Sequence, residues 1–208
     1  MPSSTTRRPK RNGAVRPCDE LSALLPRGNQ LKASNDRRRG AGEPGVEGFE
    51  VNREAGEGVY PLIEVFGPVH DAAPVIAIFG SAERARAVCA QTRVKIVNSA
   101  RYMWINDREG SLMVSLQHLC TADDCTLYLD VVHELVHVRQ LHEGQELFDR
   151  RYSYVDRPTE IEAYRITVDE ARRLGLTDVE ICNYLRVEWI SDADFVRFLE
   201  RLGVRPDR

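Results

Sequence analysis

The chain has 208 residues, 42% of them hydrophobic and 29% charged, with a formal net charge of −3 at pH 7, a balance that excludes a fully disordered or fibrous protein. No run approaches the roughly 18 apolar residues of a membrane-spanning helix, and the polar start from Ser3 to Arg11 lacks the apolar centre of a secretory signal. We therefore expect a single cytoplasmic domain with no membrane partner.

Basic residues concentrate at the N-terminus. Residues 1–45 contain ten Lys or Arg and four Asp or Glu, a local charge of +6 that leaves −9 for the rest of the chain. Pro, Gly, Ser and Arg are frequent up to residue 58, so we expect residues 1–58 to form a disordered basic arm. The favoured interpretation is a solubilising leader, and contact with nucleic acid or another acidic partner is the alternative. The folded domain is then expected at residues 59–208.

Apolar residues become dense from Tyr60, and a first helix is predicted from its N-cap Ser81 to Ala90. Three β-like stretches follow, separated by turn residues: Arg93–Val97, Arg101–Ile105 and Ser111–Leu116. Helical periodicity returns at Leu127–His142. Three further helices are predicted, with starts marked by Pro158, by the capping box Thr177-x-x-Glu180 and by Ser191. This order predicts an α+β domain whose small antiparallel sheet packs on the 127–142 helix.

That helix carries the sequence His133-Glu134-Leu135-Val136-His137. Residues four positions apart on a helix are separated by about 400° of rotation, so both imidazoles leave one face and can bind a single tetrahedral zinc ion. Glu134 follows His133 directly, and its carboxylate can accept a proton from a water molecule on that ion. We therefore predict one Zn²⁺ with His133 and His137 as ligands and Glu134 as the catalytic base.

A catalytic zinc needs a third protein ligand. His142 lies five positions after His137 and faces away from the pair, whereas Glu160-Ile161-Glu162-Ala163 opens the predicted helix at Pro158. HExxH followed by a helical ExxA resembles the gluzincin arrangement of zinc metallopeptidases. The resemblance covers residues 81–175 as an order of elements. It implies a zincin-like fold, Glu160 as the third zinc ligand and Ala163 as the small residue between two helices, with Glu162 as the fallback ligand.

This chain departs from the resemblance immediately after Ala163. Many gluzincins have an Asp there that orients a zinc-bound histidine, and this chain has Tyr164. Three residues stay open as donors or acceptors of that hydrogen bond: Tyr164, Asp130 and Asp169. Five are unranked candidates for stabilising the oxyanion: Tyr152, Tyr154, Tyr164, His142 and Arg165.

These motifs predict a zinc metallopeptidase, a hydrolase that acts on a peptide or a specific protein substrate. We expect the substrate to lie extended beside Ser111–Leu116 as an added strand. The alternative is a regulatory or protein- or nucleic-acid-binding module of zincin fold, which has no use for the base Glu134. His70 and His118 are expected to be ordinary surface or satisfied core histidines. Trp104 and Trp189 lie in apolar strand and helix patterns and are expected to pack in the core.

Overall fold

A computed structural model describes residues 46–205, so the predicted arm up to residue 45 lies outside the described residues. Within that range, a four-stranded sheet and eight α-helices give an α+β arrangement. The strands are β1 (Gly58–Pro61), β2 (Arg93–Val97), β3 (Met103–Asn106) and β4 (Ser111–Ser115). The helices are α1 (Leu62–Val65), α2 (Ala73–Phe79), α3 (Ala82–Gln91), α4 (Leu116–Thr121), α5 (Asp124–His142), α6 (Pro158–Arg173), α7 (Asp178–Leu185) and α8 (Asp192–Leu202). Short 3₁₀ turns lie at Val69–Asp71 and Tyr154–Asp156.

The strand order is β1-β2-β4-β3, which corrects the prediction of a purely antiparallel sheet. β1 pairs with β2 and β3 pairs with β4 in antiparallel fashion, but β2 and β4 run parallel. The reason lies in β4, whose side chains are mostly buried on both faces, so that it takes an interior position and displaces β3 to the edge. β1 was not predicted, and Pro61 is tolerated there because β1 is the other edge strand.

Three predicted helix starts are confirmed by side-chain caps at Ser81, Thr177 and Ser191. Ser81 accepts a hydrogen bond from the Arg84 N–H, and Thr177 and Glu180 form the reciprocal capping box. α5 begins earlier than predicted, because Asp123 caps it by accepting from the Thr126 N–H. α5 is buried along most of its length and packs against α6, β3 and α2, so it forms the centre of the domain. No helix among residues 46–205 is long and apolar enough to cross a membrane.

The segment just before β1 contributes to the same core. Val46, Phe49 and Ala55 are buried, although residues up to 58 were assigned to the arm from their composition. The ring of Phe49 lies 5.1 Å from that of Tyr128 on α5, in an edge contact, and 6.2 Å from that of Phe66. Three isolated apolar residues do not recur with the period of a helix or a strand. Neither composition nor periodicity therefore predicts that they pack in the core.

Phe49→Ala should lower the free energy of unfolding by about 3 kcal/mol or more, because the substitution empties a buried aromatic site against α5. Urea unfolding of the full chain measures this as a lower midpoint with an unchanged slope. Phe148→Ala, at a ring that is 42% exposed, is the matched control and should cost about 1 kcal/mol or less. Equal effects of the two substitutions would show that residues 46–57 add little to the core.

Candidate metal centre

The centre of the site lies where α5 meets the first turn of α6. His133 and His137 leave one face of α5, and their Nε2 atoms are 3.1 Å apart. Glu160 Oε2 lies 3.5 Å from each of these two atoms. All three side chains are buried. The fold therefore brings together the three residues predicted as ligands, and their binding of a metal stays a prediction.

The spacing of these donor atoms fits one metal ion. In a tetrahedral site with metal–nitrogen bonds of about 2.0–2.1 Å, neighbouring donor atoms lie roughly 3.3 Å apart. The separations of 3.1, 3.5 and 3.5 Å lie on both sides of that value. Two imidazoles and one carboxylate also form the donor set of many hydrolytic zinc sites, and they leave one position for a non-protein ligand. The residues present therefore fit a Zn²⁺ ion.

Gln140, which sequence reasoning had not assigned to the site, fixes the orientation of His137. The imidazole Nδ1–H donates to Gln140 Oε1 at 2.7 Å, which leaves the Nε2 lone pair directed at the cluster. The Gln140 amide then donates to the Thr159 carbonyl at 3.0 Å and to Glu162 Oε2 at 2.8 Å. Glu162, the fallback ligand, is thereby held outside the cluster, where it also pairs with Arg139 at 2.7 Å.

His133 is held by packing. The Tyr164 ring lies 4.1 Å from the imidazole, but its hydroxyl contacts that of Tyr154 at 2.7 Å. Asp130 accepts hydrogen bonds from other side chains, and Asp169 is exposed. Among the described residues, His133 Nδ1 has no hydrogen-bond partner. None of the three open candidates therefore supplies the orienting hydrogen bond.

Glu134 is buried beside the cluster and differs from Glu160 in its electrostatics. Burial raises the pKa of Glu134 to about 8, while the charge of His137 and the Ile105 N–H directed at the carboxylate act in the opposite direction. Its Oε2 atom has no hydrogen-bond partner within residues 46–205. A carboxylate with a pKa near neutrality and a free oxygen is suited to accept a proton and return it.

The cluster is electrostatically coupled. Burial alone would raise the pKa of Glu160, but hydrogen bonds from His133 and His137 hold it well below its usual range. Burial tends to lower the pKa of His137, yet the hydrogen bond to Glu160 and the Glu134 charge raise it to about 9. Burial lowers the pKa of His133. The buried Glu160 carboxylate thus needs a neighbouring positive charge, which a proton on His137 or a divalent cation can supply.

A cleft of about 1210 Å³ opens over this centre. Of the five oxyanion candidates, Tyr154 and Tyr164 line the cleft. The other three are exposed and do not line it: Tyr152, His142 and Arg165. Of the five candidates, only the hydroxyl groups of Tyr154 and Tyr164 therefore remain, and these two groups contact each other.

Arg157, which sequence reasoning missed, also lines the cleft. Its Nη1 lies 3.4 Å from Glu160 Oε1, so its positive charge stabilises the buried carboxylate. The sequence signal was present, because Arg157 and Glu160 have the i,i+3 spacing of neighbours on a helix surface.

Two expectations about isolated residues have clear outcomes. His118 Nε2 forms a hydrogen bond with Asp130 Oδ2 at 2.7 Å, as expected for an ordinary histidine, although both residues line the metal-centre cleft. Trp189 was expected in the core, and this is wrong, since 59% of its surface is exposed on the cleft. The reason is that residues 186–191 form the connection between α7 and α8, outside any helix.

Comparison with known proteins adds no assignment to this geometry. No family model, no curated protein and no solved structure matches the chain. The gluzincin resemblance therefore stays a prediction from two short motifs, and the site is described by its own side chains.

Gln140→Met should weaken zinc binding by about 10- to 100-fold, because His137 loses the acceptor that sets its tautomer. Competition with a chromophoric chelator measures the affinity. Gln91→Met, the same change at an exposed residue of α3, is the control and should bind zinc like the unmodified chain. Identical affinities for both variants would exclude an orienting role for Gln140.

Glu160→Gln should weaken zinc binding by more than about 100-fold, since it removes the only carboxylate within the donor cluster of the described residues. Glu162→Gln should have a much smaller effect, because that side chain contacts Gln140 and Arg139. The same chelator competition compares the two variants. The reverse order of effects would transfer the ligand role to Glu162.

Proposed function

We propose that the chain is a zinc-dependent metallopeptidase of zincin-like fold. The observation that carries the proposal is the convergence of His133, His137 and Glu160, with Glu134 buried beside them, at a cleft. A purely structural metal site has no use for a buried carboxylate whose free oxygen adjoins the cluster. The donor set supports zinc, and the adjoining base supports hydrolysis.

A bound Zn²⁺ would polarise the scissile carbonyl and lower the pKa of a water molecule to about 7. Glu134 is placed to accept the proton of the attacking water and to deliver it to the leaving amine. Tyr154 and Tyr164 are the hydroxyl donors available to a developing oxyanion. Arg157 adds a positive charge 3.4 Å from the Glu160 carboxylate, and Gln140 keeps His137 in the tautomer with Nε2 unprotonated.

The expected substrate strand must be reassigned. Ser111–Leu116 cannot accept an added strand, because β4 lies between β2 and β3. β3 is the edge strand beside α5, and it lines the cleft through Met103, Trp104 and Ile105.

The hydrogen bonding of β3 supports the same choice. The Tyr102 carbonyl accepts from the Ser115 N–H on β4, so by alternation the main-chain groups of Met103 and Ile105 face outward. The Ile105 N–H directed at Glu134 agrees with this. We therefore place an extended substrate along the outer edge of β3.

Glu134→Gln should retain one zinc per chain and lose turnover by about 10²- to 10⁴-fold, the range expected for loss of a general base. Metal analysis and cleavage of an unstructured protein measure the two properties. Glu146→Gln, an exposed acid after α5, is the control and should keep both. Full activity of the Glu134 variant would contradict the role of Glu134, and stoichiometric zinc without turnover in the unmodified chain would favour the regulatory module.

A further inference from the structure

Trp189 exposes 59% of its surface and lines the same cleft as the metal centre. Its ring lies 6.1 Å from that of Tyr102 and 6.4 Å from that of Tyr154. Ligand clefts are lined mainly by hydrophobic and aromatic side chains, so exposed rings that contact each other within a cleft offer a stacking surface to a ligand. Tyr102 and Trp189 together form a surface that we call the aromatic shelf.

The aromatic shelf is connected to the metal centre through ring contacts. Tyr154 touches Trp189 on one side, and its hydroxyl contacts that of Tyr164 at 2.7 Å. Tyr164 in turn packs on His133 at 4.1 Å. A ligand on the shelf would therefore lie on the same cleft wall as His133.

A carboxylate lies next to the aromatic shelf. Glu188 accepts a hydrogen bond from the Tyr102 hydroxyl at 3.2 Å, and the nearby Arg186 pairs with Asp192. The Tyr102 ring also contacts the imidazole of His118, which pairs with Asp130. Six acidic residues line the cleft: Asp123, Asp124, Asp130, Glu134, Glu160 and Glu180. Three arginines also line it: Arg101, Arg157 and Arg186.

Each of these arginines is engaged away from the shelf. Arg101 stacks on Trp104 at 5.4 Å, Arg157 pairs with Glu160, and Arg186 stacks on Phe195 at 4.7 Å. Among residues 46–205, no Lys or Arg stacks on the rings of Trp189 or Tyr102. The shelf thus presents aromatic faces on which no Lys or Arg of the described residues stacks, beside the Glu188 carboxylate.

We propose that the aromatic shelf and Glu188 form a subsite for a basic side chain, arginine above all, of an extended peptide in the cleft. A guanidinium can stack on an indole face and donate hydrogen bonds to a carboxylate at the same time. The placement of this side chain in a substrate rests on the proposed peptidase function, whereas its binding to the shelf does not. The subsite selects peptides with an arginine near the bond that is cut.

Binding can be measured on Trp189 itself. In the variant Trp104→Phe combined with Glu134→Gln, Trp189 is the only tryptophan and the proposed base is absent. A short blocked peptide with one arginine among alanines is titrated against its citrulline analogue, which has a similar shape and no charge. The Trp189 emission should change saturably, and the arginine peptide should bind about 3- to 30-fold more tightly, the range of a partly desolvated cation–π contact.

Variants then test the named groups by calorimetry with the same two peptides. Glu188→Gln and Trp189→Leu, made in the Glu134→Gln background, should reduce the preference for arginine to about twofold or less. Glu200→Gln, at an exposed acid on α8, is the control and should keep the full preference, because Glu188 and not Glu200 accepts the hydrogen bond from Tyr102. Because Glu188 is exposed, its variant stays informative if Trp189→Leu fails to fold.

Equal affinity for arginine and citrulline, tighter binding of a phenylalanine peptide, or a preference that survives Glu188→Gln would each overturn the subsite. Arginine-selective binding by a chain without peptidase activity would refute the proposed function and support the subsite. Cleavage of peptides without any effect of arginine on their binding would support the proposed function and refute the subsite.

Discussion

The site depends on one constraint, the burial of the Glu160 carboxylate at the junction of α5 and α6. A buried anion is stable only with compensating charge and hydrogen bonds. The two imidazoles of α5 and the guanidinium of Arg157 surround Glu160, and Ala163, fully buried on α6, is the small residue one turn later. Glu160 therefore lies where helix packing, donor spacing and the local charge balance meet.

The two carboxylates of the site have opposite environments. Glu160 is held ionised by His133 and His137, whereas burial raises the pKa of Glu134 to about 8. In the proposed function, these opposite pKa shifts suit Glu160 to bind the metal and Glu134 to act as the base. β3 adjoins both Glu134 and the cleft, because its Ile105 N–H is directed at Glu134 and its residues Met103, Trp104 and Ile105 line the cleft.

Local patterns predicted five of the eight described helices and the histidine pair, because capping and the four-residue spacing depend on nearby residues alone. The parallel pairing of β2 with β4 was missed, since it depends on which strand is buried on both faces. Residues in α6 two positions apart face different directions, so only packing against α5 separates Glu160 from Glu162. The prediction that Trp189 packs in the core was wrong, because its apolar neighbours suggested a helix where the chain forms the loop between α7 and α8.

X-ray absorption of the purified full chain, loaded with zinc and freed of excess metal, tests the convergence of these ligands most directly. The account predicts one zinc per chain, nitrogen and oxygen donors at about 2.0–2.2 Å with an imidazole signature, and no sulfur ligand. Sulfur scattering at about 2.3 Å, or the absence of stoichiometric zinc, would contradict it.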